Sequence, residues 1–195
     1  VVQGTSFLNP RTYAILHRMH HAYSDTELDP HSPVKSKNIF DMMWKTKKIY
    51  NSVYHREVEV PKEMEGGYPE WKTLDKFGES WFSRISWMFV YTGIYFLIAP
   101  NYYWFFLLPL HFILLPTQGA IVNWFGHKHG YTNYDNHDNS KNTLAVDFLM
   151  MGELFQNNHH KLPLRPNFGI KWFEFDPTYQ LMKVLNFFGV LKLKY

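Results

Sequence analysis

From Ile85 to His127, a run of 43 residues, the chain contains no Asp, Glu, Lys or Arg. A helix needs about 20 mostly apolar residues to cross a bilayer, so the run is long enough for two crossings. Pro100-Asn101 sits where a turn between them belongs. Tyr102, Tyr103 and Trp104 beside it read as aromatic residues at a membrane interface. The pattern predicts a helical hairpin with spans over 83–99 and 102–126. The alternative, a hairpin buried inside a large soluble protein, needs more surrounding chain than 195 residues supply.

Whole-chain averages conceal this unevenness. Mean hydropathy is −0.33, and the formal net charge of +3 is too mild to point to nucleic acid. All 20 Lys and Arg lie outside the run, 12 before Ile85 and 8 after His127. The excess of positive charge at both ends places them on the cytoplasmic side and the Pro100-Asn101 tip on the other. Sequence before and after the hairpin therefore shares one side of the membrane. The predicted architecture is all-α, a membrane hairpin plus a cytoplasmic helical cap built from 17–82 and 127–195.

The histidines are the second constraint. In "HRMHH", His17, His20 and His21 have the i, i+3, i+4 spacing that shares one helix face. Asn9 and Pro10 suit the cap and first position of that helix. Val1–Leu8 before it is uncharged and reads as the inner end of a further span, while Asp29-Pro30 and Ser32-Pro33 stop helical continuation. "GELFQNNHH" repeats the pattern at Gln156, His159 and His160, and "NWFGHKHGY" places Asn123 one helical turn before His127. One such cluster is compatible with a solvated helix. Two clusters and a histidine at the end of a span, all on one membrane side, point to metal. With no cysteine, thiolate ligands are excluded, and six imidazoles exceed the needs of one tetrahedral ion, which favours two. His111, inside the second span, reads as a hydrogen-bonding residue, and His129 and His137 as reserve ligands.

These motifs, in this order and around this hairpin, resemble the membrane fatty acid desaturases of the acyl-CoA desaturase type, with wording nearest the bacterial members. The likeness covers essentially the whole chain as one desaturase domain, 1–195. It implies a di-iron enzyme that uses O2 and two electrons to place a double bond in a saturated acyl chain. By position, His17, His20, His21, His127, His159 and His160 are its metal ligands, with Asn123 and Gln156 as further ligands or residues that act through water; no other catalytic side chain is implied. A ferredoxin or cytochrome b5-type electron donor is implied by the family alone, as are a fatty acyl substrate and a bilayer, with the bacterial inner membrane favoured over the endoplasmic reticulum. The family's earlier HxxxH motif has no counterpart in residues 1–16, so the chain is expected to be the C-terminal portion of a longer enzyme. Gln156 stands where many relatives have His; its carbonyl, or His129, is the substitute.

A methylene C–H is not acidic, so side-chain acid–base chemistry cannot cleave it, and a redox cofactor must. Carboxylates orient metal-bound imidazoles, and Asp25, Asp29, Asp147 and Glu153 are the candidates. The other readings are a hydroxylase on the same scaffold and a non-enzymatic membrane metal-binding protein. The remaining sequence predicts a surface helix near "NIFDMMWKTKKIY", a connecting loop over 61–80, and a last amphipathic stretch capped by Asp176-Pro177.

Overall fold

The computed structural model describes residues 4–143 and 147–193; Val1–Gln3 of the expected further span lie outside them. Eight α-helices and two short 3-10 turns account for its regular structure, and no strand occurs among the described residues. The helices are α1 (Pro10–Tyr23), α2 (Ile39–Tyr54), α3 (Lys72–Glu79), α4 (Trp81–Ile98), α5 (Leu108–Phe112), α6 (Leu114–Gly126), α7 (Gln156–Lys161) and α8 (Pro177–Phe187). Two compact units divide the chain, Val1–Ala22 with Met43–Gly119 and Tyr23–Met42 with Ala120–Tyr195.

In the first unit α1 starts as its sequence dictates. Pro10 opens the helix, and the Asn9 side-chain oxygen accepts from the Thr12 amide at 3.0 Å. Ile15 and Leu16 are buried. Two arginines, one turn to either side of Ile15 on the same face, fasten the helix: Arg11 donates to the Val53 carbonyl and pairs with Glu65, and Arg18 donates to the carbonyls of Met64 and Gly66. The expected loop over 61–80 is partly helical. Asp75 accepts from the Trp71 amide, an acidic clamp on the first turn of α3, and Ser80 caps α4 through the Ser83 amide.

α4 covers the first expected span, and α4 packs on the returning segment through Phe96–Phe105 and Tyr95–Phe105 ring contacts. His111 lies between the two, its Nε2 2.7 Å from the Tyr95 hydroxyl, the bundle hydrogen bond expected for it. The second expected span, 102–126, is not one helix. A 3-10 turn over Tyr102–Leu107 leads into α5, and α5 and α6 meet at a 65° bend. Among the described residues no single helix is long and apolar enough to cross a membrane, although the bent pair has the length and composition to do so. The break has a cause in the sequence. Pro116 has no amide hydrogen, so the Phe112 carbonyl, four residues earlier, loses its helical donor. Ser6 supplies one instead, its hydroxyl donating at 2.8 Å, and Thr5 does the same for the His111 carbonyl at 3.3 Å. Arg84 holds this strap in place through the carbonyls of Thr5 and Phe7.

In the second unit α8 begins at Pro177 with Asp176 accepting from the Tyr179 amide, the cap its sequence announces. Tyr131, Asn142 and Phe155 are joined by two isolated antiparallel bridges. Gly130 is required there, because a Cβ at its φ of +129° would lie 2.1 Å from the Asn142 carbonyl oxygen.

The strap predicts a coupled pair of mutations. Ser6→Ala leaves the Phe112 carbonyl without a donor and should lower unfolding stability by about 1–3 kcal/mol. In a Pro116→Ala background the new amide can take that carbonyl, and the penalty of Ser6→Ala should shrink. Equal penalties in both backgrounds, by denaturant unfolding in detergent, would refute the account of the bend.

Candidate metal centre

α1 presents three imidazoles in the first unit. His17 and His21 are one turn apart, and their Nε2 atoms are 3.2 Å from each other. Two nitrogens each about 2.1 Å from one ion, at coordination angles of 90–109°, lie roughly 3.0–3.4 Å apart, so this spacing fits ligands of a single metal. Tyr13 stacks on His17 at 5.8 Å and fixes its ring plane. His20, on the same helical stripe, is buried.

The second unit carries three imidazoles of its own. His127 follows the last residue of α6, with Asn123 one turn before it. Gly126 is the contact point with α7: a Cβ there would meet the Gln156 Cγ at 2.5 Å. That approach brings the His127 and His160 rings to 4.9 Å, edge to face. His127 Nδ1 is 3.1 Å from an Asp25 carboxylate oxygen, and His160 Nδ1 is 2.6 Å from an Asp138 oxygen. An ionised carboxylate only accepts, so each Nδ1 carries the proton and each Nε2 carries the lone pair a metal needs. His159 is buried and stacks on Phe168 at 4.2 Å.

Asp25 earns its position through backbone geometry. It has φ of +62° just beyond α1, a left-handed conformation that Asp tolerates better than most residues. Its oxygens also accept from the Asn139 amide and the Ser32 hydroxyl. Burial pushes this carboxyl up, but His127, the Asn139 amide and Ser32 outweigh it and hold it below the usual range. Asp138 behaves alike: burial opposes ionisation, while His160 and Ser140 overcome it and hold the carboxyl well below the usual range.

Of the carboxylates singled out by sequence, Asp25 orients an imidazole. Asp29 accepts from the amides of Asp25 and His31, which shapes the turn beyond α1. Asp147 and Glu153 are corrections, since neither is hydrogen-bonded to an imidazole. Asp147 instead accepts from the Leu154 amide, and burial with the nearby charges of Asp176, Glu153 and Glu174 pushes it up to about 7. Gln156 is buried with its amide nitrogen donating to the Glu153 carbonyl at 2.6 Å. Asp138 escaped notice, lying in the polar run "NYDNHDNSKN", where nothing separates it from its neighbours.

Histidine groups able to hold a metal ion are thus present among the described residues. Among the described residues, helices carry imidazoles grouped as a metal ion would need them, two of them on carboxylates, the pattern of a histidine-rich protein able to hold metal. The chain belongs to the fatty acid desaturase family, whose profile matches residues 2–186. It is 30% identical over 184 residues to the sn-1 stearoyl-lipid 9-desaturase of Anabaena variabilis, covering 89% of this chain and 61% of that one. The enzyme of the same description from Synechocystis sp. is 31% identical, over 91% and 53% of the two chains. An acyl-CoA 5-desaturase of Anemone leveillei is 27% identical, over 93% and 54%. The chain therefore spans little more than half the length of these relatives. No solved structure matches it.

Asp147 gives a pH test with a defined sign. Its carboxyl is raised from 3.8 to about 7, so the folded state binds a proton that the unfolded state releases. Stability should then fall as pH rises from about 4 through 7. Asp147→Asn removes this dependence. The variant's melting temperature relative to the parent should climb between pH 5 and pH 8, and a flat difference would contradict the assignment.

Proposed function

We propose that this chain forms the histidine-bearing part of an integral-membrane, O2-dependent fatty acyl desaturase. In this reading His17, His20, His21, His127, His159 and His160 hold two iron ions, with Asn123 and Gln156 beside them. The observation that carries it is the pair of carboxylate-oriented imidazoles, His127 on Asp25 and His160 on Asp138. Family membership supports it, as does the 3.2 Å approach of the His17 and His21 nitrogens.

The overall change removes two hydrogens from adjacent methylenes. With O2, two electrons and two protons it yields one carbon–carbon double bond and two waters. Bound iron supplies the cleavage of an unactivated C–H bond, which no side chain performs. The protein's part is positional. Asp25 and Asp138 accept from Nδ1 of two imidazoles, which leaves Nε2 to the metal and fixes the ring planes. The acyl chain needs a dry slot, and the second span offers Leu107, Phe112 and Leu115 for it. A Cβ at Gly119 would meet nothing within 4 Å, which leaves room before Asn123.

Membrane insertion is supported by what the hairpin leaves outside. Phe89, Phe96, Leu97 and Ile98 on α4 and Tyr102, Phe106 and Leu110 beyond it are all exposed, far more apolar surface than water tolerates. The charge asymmetry supports a cytoplasmic side for the histidines, and the resemblance to bacterial members favours the inner membrane. A relative acting on stearoyl-lipid and another acting on acyl-CoA support a fatty acyl substrate, and a ferredoxin or cytochrome b5-type donor would bring the electrons.

The full-length protein, expressed in a desaturase-deficient host, tests this reading. His20→Ala and His160→Ala should each lose iron and new double bonds together, and retained turnover would reject the ligand set. Hydroxylated lipid without unsaturation from the parent would instead favour an oxygenase. Asp138→Asn, which keeps every ligand, should weaken iron binding by about 10–100-fold in a chelator titration.

A further inference from the structure

We propose that Glu174 is a positioning residue for the metal centre, setting through Asn158 the direction in which α7 presents His159 and His160. The proposal rests on the metal-binding reading above and concerns a residue 14 positions beyond His160 in the chain.

α7 has six residues, Gln156–Lys161. A helix this short has no independent stability, so its neighbours set its rotation about its own axis. One residue of rotation swings every side chain by about 100°, so a small error would aim both imidazoles elsewhere. The two residues before the histidines prevent it. Asn157 accepts from the amides of Asn133 and Tyr134, at 2.8 and 2.9 Å, and donates to the carbonyls of Tyr134 and Ser140. Asn158 accepts from the side chains of Asn133 and Asn142, both at 2.9 Å, and donates to the Phe168 carbonyl and to Glu174. Every donor and acceptor of both side chains is used, and both residues are buried.

Glu174 is the acceptor on which this arrangement converges. Its Oε1 accepts from the Tyr131 hydroxyl at 2.5 Å and from Asn133 Nδ2 at 2.6 Å. Its Oε2 accepts from Asn158 Nδ2 at 3.0 Å and from the amides of Ile170 and Lys171 at 2.7 and 2.8 Å. Five donors and no acceptor face one buried carboxylate. Burial alone would raise this carboxyl, but its donors outweigh burial and hold it below the ordinary range. The loop it gathers also reaches a histidine directly. Phe168, whose carbonyl binds Asn158, lays its ring on His159, and its amide is held by Asp176 two residues beyond Glu174.

An amide at position 174 has the same shape as the carboxylate but turns a donor toward other donors. Glu174→Gln therefore perturbs the direction of α7 with almost no change in volume. The test uses the full-length protein, stripped of metal and reloaded with Co2+, whose visible absorption reports ligand geometry without turnover. Glu174→Gln should bind Co2+ at least about 10-fold more weakly than the parent and show a shifted absorption band at saturation. Asn158→Ala, which leaves four of the five donors on Glu174, should do the same and serves if Glu174→Gln does not fold. Thr178→Val, which removes a hydrogen bond to Met151 elsewhere in the unit, controls for general loss of stability. An unchanged band and affinity in both network variants overturns the proposal. So does a lowered melting temperature with the parent's band at saturation, which marks a structural role only. A parent that binds no Co2+ overturns the metal-binding reading as well.

Discussion

Two hydrogen bonds from imidazole to carboxylate set the terms for the second unit. A histidine binds metal through a neutral ring, and the ring has two nitrogens to choose from. Asp25 and Asp138 make the choice for His127 and His160 by accepting at Nδ1. Each carboxylate must then be held ionised in a buried place. Asp25 achieves this with the Asn139 amide and the Ser32 hydroxyl, Asp138 with the hydroxyl and amide of Ser140. The segment 133–142, which supplies all of these donors except the Ser32 hydroxyl, has no helix, and its work is to place hydrogen-bond donors.

Much of this was legible because local rules wrote it. Asn9-Pro10 and Asp176-Pro177 announce helix starts, and both caps form as their chemistry requires. The histidine spacing on α1 is a statement about a helix face, and α1 is a helix. The break in the second span was legible in principle, since Pro116 lies in plain view, but an apolar run hides its breaks from a hydropathy reading. Its completion by Thr5 and Ser6 depends on residues 106 positions away. No local pattern reports that distance.

Asp138 and Glu174 were hidden for a different reason. Metal ligands advertise themselves by residue type and spacing, whereas the groups that orient them are defined by direction. Asn recurs at 133, 136 and 142, and the sequence gives no sign that Asn133 and Asn142 meet Asn158 while Asn136 meets the Asn157 carbonyl. Likewise Asp147 and Glu153 stand nearer the histidine pair in sequence than Glu174 does, yet burial and the charges of nearby acids dominate their surroundings.

The cost of this design falls on stability. The described residues of the second unit bury Leu154, Phe155, Met42, Ala120 and Val122, but also Asn142, Asn157, Asn158, Asp147, Glu174 and Asp176. A buried polar group is tolerable when its hydrogen bonds are complete and expensive when they are not. Asn157, Asn158 and Glu174 meet that condition. Asp147 does not, since its Oδ2 is buried without a partner among the described residues. It also heads a segment bent by positive φ at Met151 and Gly152. A Cβ at Gly152 would lie 2.4 Å from Asp176, so the chain passes tightly against that acid. The histidine pair at 159–160 thus comes a few residues after two positive-φ positions, and the saturated network around Asn158 and Glu174 fixes its direction. Strain near a site is retained when its surroundings over-determine the geometry, and here five donors on one carboxylate supply that surplus.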